Sequence, residues 1–232
     1  MNQENLNFAL WLIAALVTAG AASIYTIRIE NQYRQEFELE PVDLKASLPS
    51  LVMMLGVIVM IAWESQSRLT AIALPAIGLA GASLRGIWRI DRQCLLIPDR
   101  LQALGCAAGL YYLGALIATG EPWRDQCLEL GFAFALVALM WALSAVYLRM
   151  RGAVGFGFGD IKLLGWLSFF VGKRMIDLIL YSIMIGLVYL LVSTAVKSIK
   201  AKKIMLPGSQ DAFAFGPAIV LAVIAEALLH YA

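Results

Sequence analysis

Long apolar stretches fill this sequence, and they limit what the chain can fold into. Of its 232 residues, 61% are hydrophobic and 15% are charged, whereas a soluble domain carries about 25% charged residues. The mean hydropathy is +0.79. One soluble core of this length cannot bury so many apolar side chains. The composition therefore predicts an all-α, polytopic membrane protein in a lipid bilayer.

Apolar segments approaching the roughly 20 residues that cross a bilayer occur about eight times. They run approximately over residues 8–27, 48–63, 69–90, 100–119, 128–148, 160–171, 175–196 and 213–230. The sixth is short, and it crosses only if Gly172 does not end its helix. Small residues such as Gly78 and Gly105 favour close helix packing. We predict an N-terminal two-helix membrane segment with a short cytoplasmic loop, residues 1–68, and a six-helix core, residues 69–232.

Basic residues are distributed unevenly between the loops of this arrangement. The loops that follow odd-numbered spans hold 14 of the 18 Lys and Arg residues. By the positive-inside rule those loops face the cytoplasm, and both termini face the other side. Asp91, Asp99 and Asp160 then lie at the cytoplasmic edge. The net charge of +2 is too small to argue for a nucleic-acid partner.

Potential metal ligands are few in this sequence. It has one histidine, His230, no CxxC pair, and three cysteines, Cys94, Cys106 and Cys127. A structural zinc site needs four Cys or His ligands at suitable spacing, and three cysteines do not make a disulfide framework. We expect no metal and no cofactor, and we expect the cysteines to pack as small hydrophobic residues.

Asp160 ends the glycine-rich run of residues 155–160 and leads directly into an apolar segment. Glycines there allow unusual backbone conformations and let another chain approach closely. An acid beside hydrocarbon is costly and marks a functional candidate. The structural alternative is a helix N-cap, which is compatible with a catalytic role. A helix N-terminus would favour Asp160 as the anion.

Asp91 lies at the end of another apolar segment, just before the run Leu96-Ile97-Pro98-Asp99. The carbonyl end of a helix disfavours a negative charge, so Asp91 is expected to keep its proton. The alternative is an exposed loop acid that pairs with Arg89 or Arg92. Two aspartates brought together can share a proton and activate water.

The remaining polar residues have simpler interpretations. Asp99 after Pro98 suits the first turn of a helix. Lys162 either balances charge near the second aspartate or anchors its helix at the membrane surface. The last span opens with Phe215-Gly216-Pro217, which either exposes backbone groups to a neighbouring site or sets the entry angle. Glu226, deep in that span, is a secondary functional candidate whose simpler role is an interior hydrogen bond.

Three blocks of the sequence resemble the signature blocks of the type IV prepilin peptidases, which are GxGD-type intramembrane aspartyl proteases. The blocks are Asp91-Arg-Gln-Cys-Leu-Leu-Ile-Pro-Asp99, Gly157-Phe-Gly159-Asp160-Ile-Lys162-Leu, and Phe215-Gly216-Pro217. The resemblance covers roughly residues 69–232. It implies that Asp91 and Asp160 are the catalytic pair. The residues it implies in substrate binding or support are Gly157, Gly159, Lys162, Pro98, Asp99, Gly216 and Pro217.

The resemblance also implies an activity and a location. Such enzymes remove the leader from prepilin or pseudopilin precursors, after a glycine, at the cytoplasmic face of the bacterial inner membrane. Bifunctional members carry two CxxC pairs in a loop after the first span and methylate the new amino terminus. Because this chain has no CxxC pair, we expect a peptidase without methyltransferase activity.

Two other functions fit parts of the pattern. A small proton-coupled transporter would use intramembrane acids such as Glu226 and Asp177 in glycine-broken helices. A non-catalytic assembly factor would hold pilins at the membrane and tolerate loss of both aspartates. The transporter offers no reason for the IPD and GxGD blocks to occur together.

Four acids follow the first predicted span. They are Glu36, Glu38, Glu40 and Asp43. Such a cluster would attract the basic leader of a precursor by charge steering. The alternative, which asks for no function, is a solvated polar loop.

Overall fold

The computed structural model describes residues 3–42, 47, 52, 68–120, 122–151, 157–201 and 214–231. The α-helices in those ranges are α1 (Gln3–Glu36), α2 (Arg68–Cys94), α3 (Asp99–Ala118), α4 (Trp123–Arg151), α5 (Phe158–Val171), α6 (Met175–Ala201) and α7 (Gly216–Tyr231). A 3-10 turn, Gly172–Arg174, joins α5 to α6. No β-strand occurs among the described residues, and the predicted all-α class is confirmed.

In the part of the chain that the structure describes, five helical segments are long and apolar enough to cross a membrane. They are Leu6–Glu36, Ala71–Cys94, Asp99–Ala118, Arg124–Met150 and Phe158–Val196, and α7 holds a shorter apolar stretch, Gly216–Ala227. The predicted total of eight spans is not confirmed. The span predicted at 48–63 lies almost wholly outside the described residues, and those predicted at 160–171 and 175–196 form one continuous apolar stretch.

The helix α5 is too short to cross a bilayer alone. It ends at Val171, because Gly172 turns the chain with a left-handed φ of 55°. Its 14 residues extend about 21 Å, against a hydrocarbon core about 30 Å thick. The sequence predicted that this span would cross the bilayer only if its helix continued past Gly172. The helix does not continue past that residue.

Two polar stretches continue helices where the sequence predicted loops. The helix α1 runs to Glu36, and α6 runs to Ala201. In α1, the buried Glu30 carboxylate lies 3.1 Å from Arg89 Nε of α2 and 3.7 Å from Arg34 Nη1. These partners offset the cost of burying its charge, so the helix extends past the apolar residues that marked the predicted span.

Glycines bring the helices close together, as their sequence pattern predicted. A Cβ at Gly78 of α2 would lie 3.0 Å from the Cβ of Ala19 in α1. A Cβ at Gly105 of α3 would lie 2.4 Å from the indole ring of Trp166 in α5. A side chain at either position would therefore force the helices apart.

The helix α5 lies at the centre of the packed helices. Its fully buried side chains include Leu163, Leu164, Trp166 and Leu167. They pack in one core cluster with residues of α2, α3, α4, α6 and α7. Because its surroundings hold α5 on several sides, its first turn is a firm support for functional side chains.

Candidate active site

Asp91 lies in the last turn of α2 and is 4% exposed. Its Oδ2 atom accepts a hydrogen bond of 2.9 Å from the backbone N–H of Gly216, the first residue of α7. That amide is one of the donors that a helix N-terminus leaves without an intrahelical partner. Of the two roles proposed for the Phe215-Gly216-Pro217 block, exposing backbone to a neighbouring site is the one observed.

Gly216 allows this contact because it has no side chain. A Cβ there would lie 2.7 Å from Asp91 Oδ2, 3.2 Å from its Cγ and 3.4 Å from its Cβ. Any other residue would displace the Asp91 side chain, the α7 backbone or both. Pro217 follows in the first turn of α7, where its fixed φ suits the helix.

The alternative interpretation of Asp91, an exposed loop acid paired with an arginine, is wrong. The carboxyl is buried within a helix. Arg89 instead pairs with Glu30, at 3.1 Å, and Arg92 is exposed.

Asp160 is the third residue of α5, and its carboxylate folds back over the start of the helix. It accepts a hydrogen bond from the backbone N–H of Gly157, the N-cap residue. A Cβ at Gly157 would lie 2.7 Å from Asp160 Oδ2. Asp160 is therefore not the N-cap residue, and that interpretation is wrong. Its carboxylate caps the helix from the third position, as the acid of a capping box does.

The structure brings the two aspartates together. Asp91 lies near enough for its charge to act on Asp160. Each also meets the N-terminus of a helix: Asp160 that of α5, and Asp91 that of α7. The helix-end argument that made Asp160 the anion and Asp91 the acid therefore does not separate them. Two neighbouring carboxyls in a buried site share a proton rather than ionise together.

Pro98, Asp99 and Lys162 join α3 to α5 beside this pair. Pro98 is the N-cap residue of α3 and Asp99 is its first residue, close to the predicted arrangement. Lys162 Nζ lies 2.6 Å from Asp99 Oδ1, and the Asp99 side chain is 81% exposed. Lys162 also lies over the ring of Phe158, 4.7 Å from its centroid. Its observed partner is thus Asp99.

Gly159 makes two close contacts with the segment after Asp91. A Cβ at Gly159 would lie 3.1 Å from the Cβ of Ile97. The Gly159 carbonyl accepts a 2.9 Å hydrogen bond from Gln102 Nε2. Gln102 was not predicted as a site residue, although a lone amide near the start of an apolar span is a signal that could have identified it.

Leu95 links α2 to α3 in an unusual conformation. Its φ is +52°, in the left-handed region that favours glycine. Its backbone N–H donates to the Asp91 carbonyl at 2.9 Å, which closes the end of α2 as an αL cap does. The side chain is exposed, so packing does not explain the choice of leucine.

The acids proposed for a transporter lie away from this pair. Glu226 Oε1 lies 3.2 Å from Arg174 Nη1, and the Glu226 side chain is 6% exposed. This ion pair ties α7 to the 3-10 turn, so the interior partner expected of Glu226 is a cation. Asp177 lies exposed in the first turn of α6.

The other residues that the sequence singled out are accounted for briefly. Glu36, Glu38 and Glu40 are exposed, and Asp43 lies outside the described residues. Cys94 packs against the core, whereas Cys106 and Cys127 are exposed, so the packing expected of the cysteines holds for the first. Within the described ranges, no three His, Cys, Asp or Glu side chains are grouped to hold a metal ion.

The chain was compared with models of known families. Residues 86–191 match the model of the type IV leader peptidase family. The matched segment contains Asp91, the whole of α3 to α5, and Asp160, and it ends within α6. No curated protein and no solved structure matches the chain.

Proposed function

We propose, from the match of residues 86–191 to the type IV leader peptidase family, that this prepilin-peptidase-type protein is an aspartic endopeptidase embedded in the membrane. It removes the leader from prepilin-like precursors at the cytoplasmic face of the bacterial inner membrane. The proposal is supported by the influence of the Asp91 charge on Asp160 and by the hydrogen bond that each carboxyl group accepts from the backbone amide of a glycine.

In the proposed reaction the pair holds one proton between two carboxyl groups. The ionised carboxylate takes a proton from water, whose oxygen forms a bond to the scissile carbonyl carbon. The protonated partner gives its proton to the carbonyl oxygen. Collapse of the tetrahedral intermediate breaks the C–N bond, and a proton passes to the leaving amine. The two groups titrate as a coupled pair, so the proton belongs to both.

The backbone amides of Gly216 and Gly157 support this chemistry. Each engages one side of a carboxyl group, which leaves the other oxygen of each group for water and substrate. Donors fixed by helix ends need not reorganise during the reaction.

A pair near the membrane surface would suit a precursor whose cleavage site borders an apolar helix. The helix α5 is shorter than a bilayer, and Asp160 lies in its first turn. A site just below the membrane surface would meet the junction between a polar leader and an apolar segment. We propose no methyltransferase activity, because the sequence has no CxxC pair. The division into residues 1–68 and a peptidase core at 69–232 stays part of the proposal.

A cleavage assay on a purified pilin-like precursor tests the proposal. Asp91→Asn and Asp160→Asn should each slow cleavage about 1,000-fold or more, because each removes an acid–base partner. The matched control is Asp177→Asn, which changes an exposed acid of α6 and should cleave normally. Cleavage products are measured by mass spectrometry, which also shows whether the new terminus follows a glycine.

The same variants separate the rival functions. Substantial cleavage by either Asn variant removes that aspartate from the mechanism. A wild-type protein that fails to cleave but drives uptake in vesicles, with loss in Asp177→Asn, is a transporter. A wild type that binds precursor without cutting it, unaffected by both Asn variants, is an assembly factor.

A further inference from the structure

Gln102 uses both ends of its side-chain amide to connect three segments of the protein. It is the fourth residue of α3 and is 5% exposed. Its Nε2 donates to the Gly159 carbonyl at 2.9 Å, and its Oε1 accepts from Trp166 Nε1 at 2.8 Å. A buried amide in an apolar helix is stable only with such partners.

These partners permit a single orientation of the amide. The indole N–H of Trp166 is a donor only, and the Gly159 carbonyl is an acceptor only. Rotating the amide by half a turn would therefore break both hydrogen bonds. Trp166 is itself fixed, since it is 1% exposed and its ring lies against the backbone at Gly105. Gln102 thus presents its N–H in a set direction.

The carbonyl that Gln102 binds belongs to the peptide unit that enters Asp160. The Gly159 carbonyl and the Asp160 nitrogen lie in one planar group. Holding the carbonyl fixes the orientation of that plane, and with it the direction in which the Asp160 side chain leaves the backbone. The same segment is pressed against Ile97, in the short link between Asp91 and Gln102.

We propose that Gln102 is a positioning residue, which aligns Asp160 with Asp91 through the Gly159 carbonyl. The inference rests on the proposed function for its kinetic readout. Gln102 does not touch the reacting atoms, so its loss should change the rate of the chemical step more than the binding of the precursor. A misplacement of about 1 Å at a reacting group costs on the order of 100-fold in rate.

The first test compares Gln102→Met with Ser83→Ala. Methionine keeps the length of the side chain but offers no strong donor or acceptor. We expect kcat to fall about 10- to 100-fold with KM changed less than about threefold. Ser83 is the matched control, because its buried Oγ donates to the Leu101 carbonyl at 2.6 Å, one residue from Gln102. Ser83→Ala removes a comparable bond of α3 and should keep kcat.

A double-mutant cycle with Trp166→Phe tests whether the orientation of the amide matters. Phenylalanine retains most of the ring but has no N–H to hold Gln102. Trp166→Phe should lower kcat several-fold in the wild-type background and leave it unchanged in the Gln102→Met background, because both act through one contact. The inference would be overturned if Gln102→Met kept the wild-type kcat or changed only KM. It would also be overturned if Ser83→Ala lowered kcat as much as Gln102→Met does.

A readout without catalysis separates this inference from the proposed function. Carbodiimide labelling of carboxyl groups, read by mass spectrometry, reports how accessible Asp160 is in the purified protein. Gln102→Met should raise labelling of Asp160 and leave that of the exposed Asp99 unchanged. If the wild-type protein cleaves no precursor, the proposed function is contradicted but the role of Gln102 is not. Equal labelling of Asp160 in wild type and variant contradicts the role of Gln102.

Discussion

Each aspartate accepts a hydrogen bond from the backbone amide of a glycine, but the two glycines lie at very different distances along the sequence from their aspartates. We call Asp160 with Gly157 the Asp160 cradle, and Asp91 with Gly216 the Asp91 cradle. In the first, carboxyl and glycine amide lie within one helical turn. In the second, they are 125 residues apart. The Asp160 cradle therefore forms when the first turn of α5 forms, whereas the Asp91 cradle exists only when α7 packs against α2.

The packing of α7 has a second support at its other end. Its residues Ile219, Val220 and Ala222 lie in the core, and Glu226 pairs with Arg174 of the 3-10 turn. No such distant contact is needed for Gly157 to reach Asp160. Changes to the packing of α7 should therefore disturb one aspartate and spare the other, and four variants examine this difference.

Gly216→Ala should have the largest effect. The new Cβ would meet three atoms of the Asp91 side chain, the nearest at 2.7 Å. We expect cleavage to slow on the order of 100-fold or more, since the carboxyl or α7 must move. The control is Gly165→Ala in α5, where a Cβ meets nothing within 4 Å. Normal cleavage by Gly216→Ala would show that the Asp91 cradle is dispensable.

Glu226→Gln should weaken the Asp91 cradle from a distance. It leaves the charge of Arg174, which is 30% exposed, without its carboxylate partner, at a cost of about 1–3 kcal/mol in the free energy of unfolding. Cleavage should fall because α7 shifts. Unfolding in detergent and cleavage are measured together, with Glu226→Gln/Arg174→Met as the companion that removes both charges. If the double variant is no more stable and cleaves no faster than Glu226→Gln, the ion pair is not what holds α7.

Gly157→Ala should have a smaller effect than Gly216→Ala. Its Cβ would meet the Oδ2 atom of Asp160 at 2.7 Å, but would lie 3.6 Å from the Cγ. A carboxylate oxygen can rotate away, so we expect about a tenfold loss of kcat, with a larger loss for Gly157→Val. Membrane insertion and unfolding should stay normal in both. A loss equal to that of Gly216→Ala would remove the contrast between the two cradles.

Leu95→Gly should have the smallest effect and the opposite sign on stability. Leu95 adopts a φ of +52° beside the Asp91 cradle, and glycine accepts that conformation without strain. We expect the variant to gain up to about 1 kcal/mol in the free energy of unfolding. Leu96→Gly, at a position without a positive φ, should lose stability instead. The two are compared by denaturant unfolding, and a loss in Leu95→Gly would show that the leucine side chain outweighs its strained backbone.

Sequence reasoning predicted what depends on local pattern. The apolar segments gave the helices, and the Asp91 and Asp160 blocks gave two residues that the fold brings together. It did not predict that Gly216 would bind Asp91 or that Gln102 would bind Gly159, because packing sets those pairs and spacing carries no sign of them. It also ended α1 too early, since the partners that bury Glu30 lie partly on another helix.

The assignment of acid and base failed for the same physical reason. It used the ends of the helices that carry the aspartates, α2 and α5. The structure adds the N-terminus of α7, which meets Asp91 from a distant part of the chain. A local argument about charge near a helix end is incomplete whenever a second helix end can pack against the same group.

The central claim is that Asp91 and Asp160 face each other in one site. Cysteines at both positions, in a background with Cys94, Cys106 and Cys127 replaced by serine, test it in native membranes. A short thiol-reactive cross-linker should join the two, so the chain stays in one piece after cleavage at a protease site engineered between α4 and α5. Cysteines at 160 and 129 are the control, since Glu129 lies beside Gly172, about 18 Å along α5 from Asp160. Efficient cross-linking of 91 to 160 alone is the predicted result; cross-linking of 160 to 129 instead, or of neither pair, would contradict the account.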